Sequence, residues 1–230
     1  MKNAAPLPAK LLVLVTIILI MVTGCKKTDE PETVTDIDGN VYKTVAIGTQ
    51  TWMAENLKTT KYNDGSQIPD VTAKSQWDNL TTDAYCWYNN DAAANKATYG
   101  ALYNWYAVDT KKLCPAGWHV PSDAEWTTLI EFLDGRDYAG GKMKEKGTTH
   151  WSAPNTDASD EYGFKALPAG DRYPGSGYEF WGIGEYCALW SSTSSTTTTA
   201  EFLEAYYDSG STYQTGTNKR FGFSVRCIKN

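Results

Sequence analysis

LCPAGWHVPSDAEWTTLIEFLDG, residues 113–135, decides how the rest of the chain is read. Ser122 followed three residues later by Glu125 is a capping box: the serine oxygen accepts the Glu125 amide, and the Glu125 carboxylate reaches back to the Ser122 amide. A helix therefore starts at Ser122. Its apolar residues Trp126, Leu129, Ile130 and Leu133 fall at i, i+3, i+4 and i+7, one face of a 3.6-residue period, and Gly135 supplies the stop. That face has to be buried, and the expected partner is the strand-like material around it, pinned by Cys114 just upstream.

Before this helix, Asp36 to Asn40 is a turn signal, Val41 to Ile47 alternates with β-branched residues, and Thr51 to Met53 returns the chain after Gly48-Thr49-Gln50. The pattern predicts an opening hairpin. Lys58 to Leu80 is polar and loop-like, with Asn63-Asp64-Gly65 and Pro69 as breakers. Tyr99, Leu102, Tyr103 and Tyr106 stand at helical spacing and predict a second helix over Thr98 to Val108, against the cost of Gly100, up to about 1 kcal/mol. After the central helix, Gly140 opens an irregular region, and Ala166 to Gly184 alternates glycine with aromatics, as exposed loops or short strands joined by tight turns do. Strands are expected at Cys187 to Thr193, Glu201 to Tyr207 and Phe221 to Ile228, and the Ser/Thr run from Ser191 to Thr199 reads as strand edge plus loop, with a glycosylation site as the alternative. The class is α+β: small antiparallel sheets, two main helices and a long loop-rich insertion.

The compartment is read from the amino terminus. Lys2 and Lys10 precede an apolar run, Leu11 to Val22, that is shorter than the roughly 20 residues a spanning helix needs. It ends in Val22-Thr23-Gly24-Cys25, which resembles the lipobox of bacterial lipoproteins, whose cysteine carries fatty chains such as palmitate. The expected organisation is a signal peptide over 1–24, lipidated Cys25 with a flexible tether over 25–35, and one domain over 36–230. Asp29, Glu30 and Glu32 in the tether resemble surface-export signals of some Gram-negative lipoproteins, and ordinary linker composition reads equally well. The expectation is an outer-membrane lipoprotein held to the membrane by its anchor, at the cell surface if the acidic tether is an export signal. Losing Lys2 and Lys10 from 21 basic side chains, against an unchanged 27 acidic ones, leaves a net charge of −8. With no dense basic stripe, this excludes a nucleic-acid partner.

Four further cysteines, Cys86, Cys114, Cys187 and Cys227, suggest two disulfides in an exported chain. Sequence leaves three pairings open. The favoured one joins Cys114 to Cys227, tying the start of the central helix to the last strand, and leaves Cys86 with Cys187.

The order DIDGNVYKTVAIGTQTWMAENL, YCWYNND, YGALYNWYAV, LCPAGWHVPSDAEW and a terminal GFSVRC resembles the Fibrobacter succinogenes major paralogous domain over nearly all of the mature chain. That family is placed with C-type lectin-like folds and is similar in part to the formylglycine-generating enzyme group. The likeness to that group lies in Pro121 to Trp126 and in Gly222 to Arg226. The resemblance implies a fold: two helices flanking a small antiparallel sheet, with the irregular region Gly140 to Thr199 inserted before the closing strands. It implies no reaction. The late cysteines Cys187 and Cys227 do not match the local sequence of the enzyme group's cysteine pair.

No catalytic constellation is assigned, and the chain is read as a non-enzyme. His119 and His150 lack zinc spacing, and Asp157, Asp160 and Glu161 read as a solvated loop cluster. Nine tryptophans and fifteen tyrosines favour a recognition or adhesion module for a glycan or a protein ligand. Trp52, Trp105, Trp118 and Trp126 are assigned to packing. Tyr173, Tyr178, Phe180, Trp181 and Tyr186, in the glycine-rich insertion, are the candidate ligand-binding residues. No cofactor and no metal ligand is assigned: Trp87 to Asp91 is the nearest stretch to the Trp-Asn-Asp calcium motif of C-type lectins but carries an extra residue, and calcium stays open only because oxygen-rich turns can bind it without such motifs. The competing reading is a structural component of a fimbria-like or coat-like surface assembly.

Overall fold

The computed structural model describes residues 1–2 and 32–230. The chain divides into two units, Met1–Glu30 and Pro31–Asn230, and all the elements below belong to the second. The apolar run 11–22, the lipobox with Cys25 and the tether as far as residue 31 lie outside the described residues. Among the described residues no helix is long and apolar enough to cross a membrane.

The opening strands are β1 (Thr33–Thr35), β2 (Val41–Ile47) and β3 (Gln50–Met53). Strand β1 thus lies inside the stretch expected to be tether, because Thr33–Thr35 pairs antiparallel with the start of β2. Next come α1 (Lys74–Trp77), β4 (Tyr85–Cys86), α2 (Ala92–Tyr99), β5 (Leu102–Tyr103), α3 (Trp105–Asp109) and β6 (Trp118–His119). The single helix expected over 98–108 is therefore two helices with a strand between them. Gly100 breaks the run at φ +75°, where an added Cβ would stand 2.6 Å from the Leu57 carbonyl oxygen. Asp91 caps α2 by accepting the Ala94 amide, and Asn104 caps α3 by accepting that of Ala107.

The central helix is α4 (Asp123–Phe132), followed by α5 (Arg136–Met143). Both halves of the capping box are present: Ser122 Oγ accepts the Glu125 amide at 3.3 Å, and Glu125 Oε2 accepts the Ser122 amide at 2.7 Å. Trp126, Leu129, Ile130 and Leu133 are buried. Trp126 stacks on Trp52 of β3 at 4.7 Å, and Phe164 meets both rings edge-on.

The insertion carries β7 (Ala169–Arg172) and β8 (Phe180–Ile183); the chain closes with β9 (Tyr186–Ser194), β10 (Thr199–Tyr206), β11 (Thr212–Asn218) and β12 (Ile228–Lys229). A five-stranded sheet runs β1-β2-β3-β12-β6, a three-stranded one β11-β10-β9, and β4-β5 and β7-β8 form two small ribbons. Every pairing between named strands is antiparallel. The chain is thus mixed α and β with small antiparallel sheets. Three apolar clusters of described residues fill the interior of Pro31–Asn230, which forms a compact unit by itself.

Cys114 and Cys227 form a disulfide. Cys86 and Cys187 do not: both are free and buried, which corrects the second expected bridge. Cys86 packs with Trp77, Tyr88 and Leu102, and Cys187 packs in a different cluster with Trp52, Trp126 and Leu189. Burial pushes each thiol up to about 12, so both stay protonated.

Candidate functional site

The β7-β8 hairpin sets the site by strand alternation. Asp171 lies opposite Trp181, and Arg172 opposite Phe180, so successive residues face opposite sides of the ribbon. One side holds Arg172, fully buried, with its guanidinium 4.3 Å from the Trp77 ring and 5.2 Å from that of Phe180. Its nitrogens donate to the Val71 and Thr72 carbonyls and to Glu179 at 2.6 Å. The other side, with Asp171 and Trp181, opens onto a cavity of about 440 Å³.

Aromatic rings wall this cavity. Tyr186 starts β9, is 4 % exposed, and stacks on Tyr206 of β10 at 5.2 Å with 30° between the rings. The two residues are cross-strand partners. Trp181 leans on Tyr186 at 5.5 Å, and Tyr173 meets Phe221 edge-on at 5.2 Å. Phe223 forms the base, packed against Trp190 and Phe202 at 4.6 and 4.7 Å. Tyr173, Tyr178 and Trp181 at the mouth are exposed, Tyr178 to 77 %. The turn carrying Tyr173 and Tyr178 is tied to α1, where Asp78 accepts the Gly175 amide at 3.1 Å.

Asp171 is the one carboxylate of the lining, 5 % exposed, and its Oδ1 has no hydrogen-bond partner. Burial alone pushes its carboxyl up to about 7. Glu204 lies between Phe202 and Tyr206 on the same β10 face and accepts the Tyr206 hydroxyl at 3.1 Å. Its carboxyl is also raised by burial.

Of the five aromatic candidates, four converge here: Tyr173, Tyr178, Trp181 and Tyr186. Phe180 does not. It faces the opposite side of the ribbon, where it packs on Tyr88 at 5.3 Å and under Arg172, which corrects its assignment to the ligand surface. Sequence reasoning missed Asp171, Tyr206, Phe221 and Phe223. Asp171 beside Arg172 reads as a local ion pair until the strand splits the two. The i, i+2, i+4 series Phe202, Glu204, Tyr206 carries the signal for Tyr206.

The other polar candidates are engaged elsewhere. His119 bridges Glu125 and Asn230 at 2.8 and 2.7 Å, and His150 contacts Glu145 at 2.6 Å. Asp160 accepts the Lys165 amide, and Glu161 pairs with Lys142. Among the described residues no group of three His, Cys, Asp or Glu side chains is placed to hold a metal ion.

Residues 45–229 match the family described as the Fibrobacter succinogenes major domain. The chain belongs to that family. The whole cleft lies within this Fibrobacter succinogenes major domain, and so does the terminal GFSVRC segment beneath it. Phe223 of that segment floors the cleft, while Arg226, fully buried, spans from Phe164 and Lys165 to Asn56. No curated protein and no solved structure matches the chain.

Proposed function

We propose that this chain is a lipid-anchored cell-envelope protein whose Fibrobacter succinogenes major domain is a non-enzymatic recognition or adhesion module. Its architecture is taken as C-type lectin-like and akin to the formylglycine-generating enzyme group, on the strength of the capping-box and GFSVRC motifs. The anchor rests on the run from Leu11 to Cys25, and an outer-membrane position at the cell surface goes with it.

One observation carries the recognition reading. Exposed Tyr173, Tyr178 and Trp181 stand at the mouth of a preformed cavity whose walls are aromatic down to Tyr186 and Phe223. Preformed, mostly apolar cavities with few polar groups are where small ligands bind, and flat aromatic faces with polar edges exposed at the mouth suit both glycan stacking and protein anchoring. Among the described residues the free thiols, Cys86 and Cys187, are buried and protonated, which supports binding over thiol chemistry.

The test is a glycan-array screen of Pro31–Asn230 with calcium and again with EDTA. The expected result is binding to a subset of glycans that is lost in Trp181→Ala; calcium dependence would add a metal to the site. Absence of glycan binding in both conditions would turn the search to protein ligands, by cross-linking at the cell surface.

A further inference from the structure

We propose that the aromatic cleft receives an alkylated ammonium group, a cation with apolar flanks, which pairs with Asp171 and lies against the aromatic wall that includes Trp181 and Tyr206. The inference rests on the cleft being the recognition site and names the chemistry of what enters it.

Three observations converge. First, Asp171 is a carboxylate buried at the cavity wall with Oδ1 unpartnered, and folding leaves that group uncompensated. Buried charges in proteins are ordinarily paired. Its neighbour Arg172 cannot serve, because it lies on the opposite side of the ribbon and is committed to Val71, Thr72 and Glu179. Second, most of the side chains around the cavity are aromatic, and the negative quadrupole of a ring face attracts a cation lying within about 6 Å. Third, the lining is poor in other polar partners. Besides Asp171 and the tyrosine hydroxyls its side chains offer only the Trp181 indole N–H and the hydroxyls of Ser176 and Thr217.

This combination discriminates between ligand classes. An anion meets an unpaired carboxylate. A hard metal ion needs several oxygen ligands, and the lining supplies one carboxylate. A neutral polyol buried whole in the cavity would leave hydroxyl groups unsatisfied against aromatic carbon, so a sugar fits only by stacking on the exposed rings at the mouth. A substituted ammonium matches every part, with charge for Asp171 and alkyl groups for the rings. The formal charge of −6 on the whole chain favours cations at long range.

The experiment titrates Pro31–Asn230 with choline and with 3,3-dimethylbutan-1-ol, its uncharged isostere, following tryptophan fluorescence. Choline is expected to saturate and to bind at least tenfold more tightly than the isostere. Asp171→Asn should abolish that preference, and Tyr178→Ala, at the most exposed ring, should weaken choline binding without disturbing the fold. Phosphatidylcholine vesicles in a parallel arm separate a lipid headgroup from a soluble source of the same group. Equal binding of choline and the isostere, no binding of either, or an unchanged preference in Asp171→Asn would each overturn the proposal. A glycan bound by the wild type, retained in Asp171→Asn and lost in Trp181→Ala, would overturn the cation inference while leaving the recognition reading intact. A glycan bound equally by both variants would overturn the two together.

Discussion

Asp171 imposes a cost on the folded chain that should be readable as a pH dependence. Its carboxyl is raised from the ordinary 3.8 to about 7 by burial. Between these values the unfolded chain has released its proton and the folded chain still holds it, so the folded state binds more protons and stability falls as pH rises from about 4 through about 7. Asp171→Asn removes the charge and keeps the shape. The variant should therefore melt close to the wild type at pH 4 and above it at pH 8, by a margin on the order of a few kcal/mol. Parallel melting curves across that range check it; a variant less stable than the wild type at pH 8 would mean that the carboxylate is paired in the folded state. A gain in stability joined to a loss of choline preference is the signature of a residue held for binding at the expense of stability.

At the scale of elements, α4 depends on a cap whose contribution can be isolated. Ser122→Ala removes the acceptor for the Glu125 amide, while Glu125 keeps its bond to the Ser122 backbone amide and its contact with His119. A loss of about 1 kcal/mol is expected, measured by denaturant unfolding with an unchanged m-value. Trp126→Ala, which empties the place of a fully buried ring stacked on Trp52, should cost about 3–5 kcal/mol. This helix was legible because everything that specifies it is local: cap, period and stop lie within residues 122–135. The opening hairpin was legible for the same reason. Helix α5 was not, because Gly140 and Gly141 are poor helix formers and their reason for being there is tertiary. A Cβ on Gly140 would come within 2.2 Å of the Ser211 carbonyl oxygen, and one on Gly141 within 2.6 Å of that of Asp157. Strand β11 was invisible too. Thr212–Asn218 has no apolar alternation, and its register with β10 creates it. The site divides along the same line. Its aromatic rim could be read from composition, whereas Asp171 emerges only when β7, an unpromising Ala-Gly-Asp-Arg, is paired and its alternate residues are sent to opposite faces.

At the scale of the whole molecule, the Cys114–Cys227 bridge joins the lead-in to α4 with the segment before the final strand, across a sequence separation of 113 residues. Cys227 is also held by the sheet, since its carbonyl accepts the Met53 amide at 3.0 Å and Ile228 pairs with both Trp52 and His119. The bridge therefore fastens β12 in its place between β3 and β6 of the five-stranded sheet. Closing a loop of that length restricts the unfolded chain by an amount worth roughly 4–5 kcal/mol in the chain-entropy treatment. The two free thiols make this loss measurable without ambiguity. In the native protein Cys86 and Cys187 are buried and protonated, so a thiol-directed alkylating agent should label neither. In denaturant without reductant the same reagent should label both, and with reductant all four cysteines of Pro31–Asn230. Cys114→Ser with Cys227→Ser should lower the denaturation midpoint by an amount corresponding to several kcal/mol and make Cys86 and Cys187 react faster in native buffer, because more of the chain is then open at any moment. Native labelling of Cys86 or Cys187 in the wild type, at a rate unaffected by the double substitution, would show that those clusters open independently of the bridge.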